Sequence, residues 1–74
     1  MIEKATLADV ERDGEALILA DGRRLRVRPD DTEVVCIWFP DAILTLAKGK
    51  DRAFDMNVTN EETGETIKAT MTVS

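Results

Sequence analysis

Apolar and polar positions alternate along this chain in short runs separated by glycines and Asp-Gly pairs, the pattern of β-strands joined by tight turns. The cleanest run, Arg24-Leu25-Arg26-Val27-Arg28, puts Leu25 and Val27 on one face and three arginines on the other. Residues 53–59 repeat the pattern with Phe54, Met56 and Val58 inward, and residues 66–73 with Ile67, Ala69, Met71 and Val73. Residues 15–20 and 43–47 carry apolar side chains on both faces, as strands covered on both sides or at the inner edge of a closing barrel do. In residues 4–12 the apolar phase slips between Leu7 and Val10, an odd spacing that strict alternation forbids. A bulge or strand end near Ala8-Asp9 is predicted to absorb it.

The connections are legible from turn chemistry. Asp13-Gly14 makes a turn, Asp21-Gly22 suits a two-residue hairpin, and Lys48-Gly49-Lys50-Asp51 reads as a polar hairpin loop. Residues 60–65 fit a type I turn closed by Gly64 in the left-handed region. Between Arg23 and Lys48 there is no glycine, yet this interval holds both prolines, Cys36 and Trp38. Pro29 ends the arginine strand, and Asp30 followed by Glu33 resembles a capping box at a helix start. The next residues, Val34 to Phe39, are mostly β-branched or aromatic and prefer strand. The conflict resolves as one short helical turn at about residues 30–35 followed by an extended segment, with Pro40-Asp41 as the next turn.

A sheet this long cannot hide its inner face with one helical turn, so it must close on itself, which also removes exposed sheet edges. The prediction is an all-β fold: a single domain over residues 1–74, built as a small closed or partly closed barrel of five to six short antiparallel strands. The SH3-like and OB-like arrangements both fit.

Composition narrows the function classes. A chain of 74 residues buries only about 60% of its unfolded surface, and natural folds of this size often add disulfides, a metal or a partner subunit. One cysteine and no histidine leave no intrachain disulfide and no Cys/His zinc site, so oligomerisation is the remaining aid. The missing histidine also removes Ser-His-Asp and Cys-His catalysis, and the only serine is Ser74. Cys36, between Val35 and Ile37, reads as a small buried hydrophobe. The carboxylate pairs Asp30-Asp31 and Glu61-Glu62 fall in turns, where capping and solvation account for them. No enzymatic activity and no cofactor is expected. The net charge of −5 argues against a polyanion as the default partner. With no signal-peptide pattern and no long apolar run, the expected setting is cytoplasmic, without membrane contact.

Three stretches carry a resemblance. Asp21-Gly22-Arg23-Arg24-Leu25-Arg26-Val27, then Trp38-Phe39-Pro40-Asp41-Ala42-Ile43, then residues 60–69 with Asn60-Glu61-Glu62-Thr63-Gly64-Glu65, resemble the landmarks of small uncharacterised bacterial β-proteins. Those share an Asp-Gly turn before a strand, a Trp-x-Pro turn and an Asn-x-x-Thr-Gly-Glu hairpin. Asp41 stands where that family tends to have glycine, Ala42 where it tends to have aspartate, and Leu25 where an aromatic is common. The resemblance implies an all-β fold and carries no activity with it.

Two groups of residues are candidate contact sites. Arg24, Arg26 and Arg28 lie about 7 Å apart along one strand face, close to the phosphate repeat of a nucleic acid backbone. The plainer reading pairs them with carboxylates of a neighbouring strand such as Asp9, Glu11 or Glu15. Trp38 and Phe39 are adjacent, so in an extended segment one sheet face cannot bury both rings. Either one ring is an exposed anchor for a partner or second subunit, or the segment crosses between barrel layers and buries both. The leading expectation is a non-enzymatic protein-interaction module, self-association included, using Trp38, Phe39 and the arginine face. The alternative is a single-stranded nucleic-acid-binding OB-like domain using Arg24, Arg26 and Arg28.

Overall fold

The computed structural model describes residues 2–72. The first strand, β1 (Ile2–Glu11), is long enough to serve two neighbours in succession. Its first half pairs antiparallel with β4 (Ile43–Lys48) and its second half with β2 (Ala16–Leu19). The register shifts between Leu7 and Asp9, at the predicted bulge. An extra residue there bends the strand and resets its phase, so that Leu7 and Val10 both reach the core despite their odd spacing.

The remaining strands are β3 (Arg24–Val27), β5 (Met56–Asn60) and β6 (Thr66–Thr72). All neighbours are antiparallel, and the order β1-β2-β3-β6-β5-β4 closes as β4 returns to β1. The fold is thus two three-stranded meanders joined edge to edge into a closed six-stranded barrel. The link between them carries a 3-10 turn (Pro29–Asp31) and helix α1 (Thr32–Val35), where one helical turn was predicted.

Strand side chains of inward phase fill the barrel, including Leu7, Leu17, Leu19, Leu25, Val27, Leu44, Leu46, Val58, Ile67 and Ala69. Each fully buried aliphatic side chain of this size contributes about 1.5–3 kcal/mol, set against the entropy of ordering the chain. Val35, Trp38 and Ala42 join the same cluster from outside the sheet. A closed barrel can receive them only through an end, so α1 and the segment after it form a plug. Gly14 lets the plug seat: its φ is +104°, and a Cβ there would lie 2.2 Å from the Thr32 carbonyl oxygen.

The structure corrects several local expectations. The Asp21-Gly22 hairpin has a three-residue loop, because β2 ends at Leu19. Gly22 N–H donates to Leu19 O (2.9 Å) and Leu19 N–H to Arg23 O (2.8 Å), a type I turn closed by Gly22 at φ +96°. The residue 60–65 hairpin forms as expected: Gly64 N–H donates to Asn60 O (2.7 Å), and the buried Asn60 side chain accepts from Glu62 N–H (2.9 Å). Residues 53–55 do not join β5. Asp51 Oδ1 accepts from the N–H groups of Ala53 (2.8 Å) and Phe54 (3.0 Å), curling them into a wider loop that takes Phe54 out of core phase. On the outer faces Ala16 is buried, whereas Ile43 is exposed. Met71, expected inward, is 41% exposed near the end of β6, and Val73 lies outside the described residues.

The capping box of Asp30 and Glu33 does not form. Asp31 takes the position, but its carboxylate serves tertiary contacts: it accepts from Arg28 Nη2 (3.0 Å) and from the N–H of Lys68 (2.8 Å), tying the turn to β6. No strand follows α1; Cys36 and Ile37 continue the turn and Trp38 N–H donates to Val35 O (3.0 Å). Cys36 is exposed, correcting its reading as a buried hydrophobe. With Val35 fixed inward, the next helical position rotates out by about 100°. Among the described residues no helix is long and apolar enough to cross a membrane.

Candidate interaction surfaces

The two adjacent aromatic residues divide between core and solvent. Trp38 is 5% exposed, with its indole N–H donating to Glu65 Oε1 (3.0 Å) on the far side of the β5–β6 hairpin. Trp38 therefore presents little surface of its own, and the reading in which both rings are buried is corrected, because Phe39 is 76% exposed. Ile37, the residue before Trp38, is likewise 65% exposed.

The backbone under this apolar tip is fixed. Ala42 N–H donates to Phe39 O (3.4 Å) across Pro40-Asp41, with Asp41 at φ +73°, the geometry of a type II turn. Asp41 N–H donates to Leu7 O (2.7 Å), and Leu7 N–H to Ala42 O (2.9 Å). The turn is thereby stitched to β1 at its bulge.

Arg24 and Arg26 of β3 face outward as expected, whereas Arg28 lies just past the strand and is half-buried, so the three do not form one uniform cationic stripe. Arg24 Nη2 pairs with Glu11 Oε2 (3.1 Å), one of the expected carboxylates. Arg28 pairs instead with Asp31 (3.0 Å), whose hydrogen bond raises the arginine's pKa. Arg26 has no ion pair among the described residues; its guanidinium lies 5.8 Å from the centre of the Phe54 ring. Beside the strand, Arg23 binds both Glu3 oxygens (3.0 and 2.6 Å) and Asp21 (2.7 Å). The Arg23 side chain holds the Glu3 carboxyl below its usual range, and chiefly the Arg23 backbone N–H does so for Asp21.

A groove of about 670 Å³ runs along the outside of the barrel beside β3. Arg12, Arg24, Arg26 and Ala16 line it, together with Asp13 and Glu15. Arg12 and Asp13 sit at φ +49° and +58°, in a tight turn between β1 and β2 whose residues line the groove together with those of β3. Neither Arg12 nor Ile37 had a sequence signal as a site residue: the Asp13-Gly14 turn is readable, but which strand it lies beside is not. Among the described residues no three His, Cys, Asp or Glu side chains gather as metal ligands. No protein-family model, curated protein or solved structure matches this chain, so its surfaces are read from their own geometry.

Proposed function

We propose that this protein is a non-enzymatic interaction module that presents Phe39, with Ile37 beside it, to a protein partner or to a second copy of itself. The observation that carries this reading is the contrast within one dipeptide: Trp38 is 5% exposed and Phe39 76%. An exposed phenylalanine forgoes about 1.5–3 kcal/mol of burial that a partner can supply, and aromatic side chains are enriched at interface hot spots. The turn hydrogen-bonded to β1 holds the ring's backbone in place, which lowers the ordering cost of binding.

Single-strand nucleic-acid binding has weaker support. Arg24 and Arg28 are already paired with carboxylates, and the Phe54 ring, which could have stacked on a base, packs with Arg26. Sedimentation equilibrium over a wide concentration range tests the proposal, with partner capture run in parallel. Phe39→Ala is expected to abolish self-association or capture while leaving the amide NMR spectrum folded. Binding that survives Phe39→Ala refutes the proposal.

A further inference from the structure

The groove beside β3 gathers charged side chains that are not all held in ion pairs. Of the four arginines between residues 23 and 28, three are committed to carboxylates: Arg23 to Glu3 and Asp21, Arg24 to Glu11, Arg28 to Asp31. Arg26 is held by an aromatic face, which positions a guanidinium without neutralising it and leaves its fork of N–H donors free. The loop before β5 is organised to keep Phe54 there. Asp51 Oδ1 accepts the Phe54 N–H, and the neighbouring Asp55 accepts the Thr70 hydroxyl (3.1 Å), fastening the loop over β6.

Directly across from Arg26 in the β2–β3 register is Ala16, which lines the groove with a small, buried side chain that adds no bulk to it. Arg12, which makes no ion pair among the described residues, lines the same groove. Asp13 and Glu15 line it too and are likewise free of ion pairs. Two uncompensated guanidiniums therefore share one depression with two uncompensated carboxylates. Its volume of about 670 Å³ falls in the range of small-molecule sites, about 300–1,000 Å³.

We propose that this groove binds a small polar molecule with a single oxyanion group, a carboxylate or a phosphate monoester, seated on Arg26 and Arg12. The hydroxyl- or ammonium-bearing remainder of the ligand faces Asp13 and Glu15. A guanidinium fork matches either oxyanion in bidentate geometry. The same two carboxylates disfavour a polyanion, whose further phosphates would meet them on a chain already at net charge −5. The site is independent of Phe39.

Titration of the full chain by ¹⁵N–¹H correlation NMR, at constant ionic strength, tests this with four probes. Inorganic phosphate and acetate supply the bare anions; O-phosphoethanolamine and γ-aminobutyrate add an ammonium to each. The expected result is saturable shifts confined to residues 12–16 and 24–27, with each zwitterion binding more tightly than its bare anion. The tighter zwitterion distinguishes phosphate ester from carboxylate. Arg26→Gln should weaken binding about tenfold, and Arg28→Gln should leave it unchanged, with the spectra themselves reporting that both variants fold. The proposal is overturned if no probe saturates below about 50 mM, if Arg26→Gln binds as the parent does, or if a thymidine oligonucleotide binds the groove more tightly than every small anion.

Discussion

Replacing Gly14 by alanine measures how tightly the helical plug seats on the barrel. Gly14 has φ +104°, where an L side chain is strained, at a cost of about 1–2 kcal/mol. Its new Cβ would also stand 2.2 Å from the Thr32 carbonyl oxygen and 2.9 Å from Val35 Cγ2. No rotamer relieves this, because the backbone fixes the Cβ and the nearest obstacle is itself backbone. Helix α1 must retreat and draw the fully buried Val35 with it, an overpacking penalty of about 1–3 kcal/mol. The sum is about 2–5 kcal/mol, against a total stability of about 4–11 kcal/mol for a chain of this size.

Gly22 supplies the control, since its φ of +96° is nearly the same and a Cβ there meets nothing within 4 Å. Gly22→Ala should show the conformational cost alone, so the difference between the two variants isolates the contact with α1. Urea unfolding followed by the fluorescence of Trp38, which sits in the same plug, gives both values. With a denaturant slope of about 1 kcal/mol/M, the Gly14→Ala midpoint should fall about 1–3 M further than that of Gly22→Ala. Equal losses in the two variants would refute the seating of α1 on the turn before β2.

Three other changes follow from single contacts. Asp41→Gly should stabilise the protein by about 0.5–1 kcal/mol, because Asp41 occupies a left-handed position (φ +73°) that glycine adopts without strain; a lower melting temperature would contradict the type II turn. Trp38→Phe removes the indole donor from half-buried Glu65 and should cost about 1–3 kcal/mol in melting experiments, whereas Phe39→Ala should lie within about 0.5 kcal/mol of the parent. Acid should destabilise the fold. Glu3 (through the Arg23 side chain), Asp21 (chiefly through the Arg23 backbone N–H), Glu61 (through Lys4) and Asp51 (through the N–H groups of Phe54 and Ala53) are held below their usual pKa values by hydrogen bonds. The unfolded chain therefore binds more protons near pH 4. The stabilisation is complete above the ordinary carboxyl range, about pH 4–4.5, and is lost as pH falls through the lower folded-state values. Urea midpoints should be level from pH 7 to about 5 and decline below about 4; a midpoint that rises on acidification would contradict these pairings.

The parts of this fold that were readable in advance are those set by neighbours in the chain. Period-two alternation located the strands, with Leu25 and Val27 inward, and the slipped phase around Ala8 marked the bulge, because both follow from the pleat of a single strand. The same logic misassigned Phe54. Its phase matches Met56 and Val58, but the Asp51 side chain captures the backbone first and ends the alternation before β5 begins. It also misplaced Cys36, since β-branched neighbours favour strand locally while the plug keeps residues 32–37 wound.

From the sequence alone came the all-β class, the need for closure, and a candidate list that held Phe39 and the three arginines. Tertiary structure decided which of these is available. Trp38 is buried because a glutamate 27 residues away completes its hydrogen bonding at the barrel end, and its neighbour is thereby turned to solvent. Arg24 is paired with Glu11, 13 residues away, while Arg26 meets the ring of Phe54 instead of a carboxylate. Each outcome depends on which distant segments become neighbours when the sheet closes, and local periodicity holds no record of that. The register across the barrel decides which charges and which rings remain free to act.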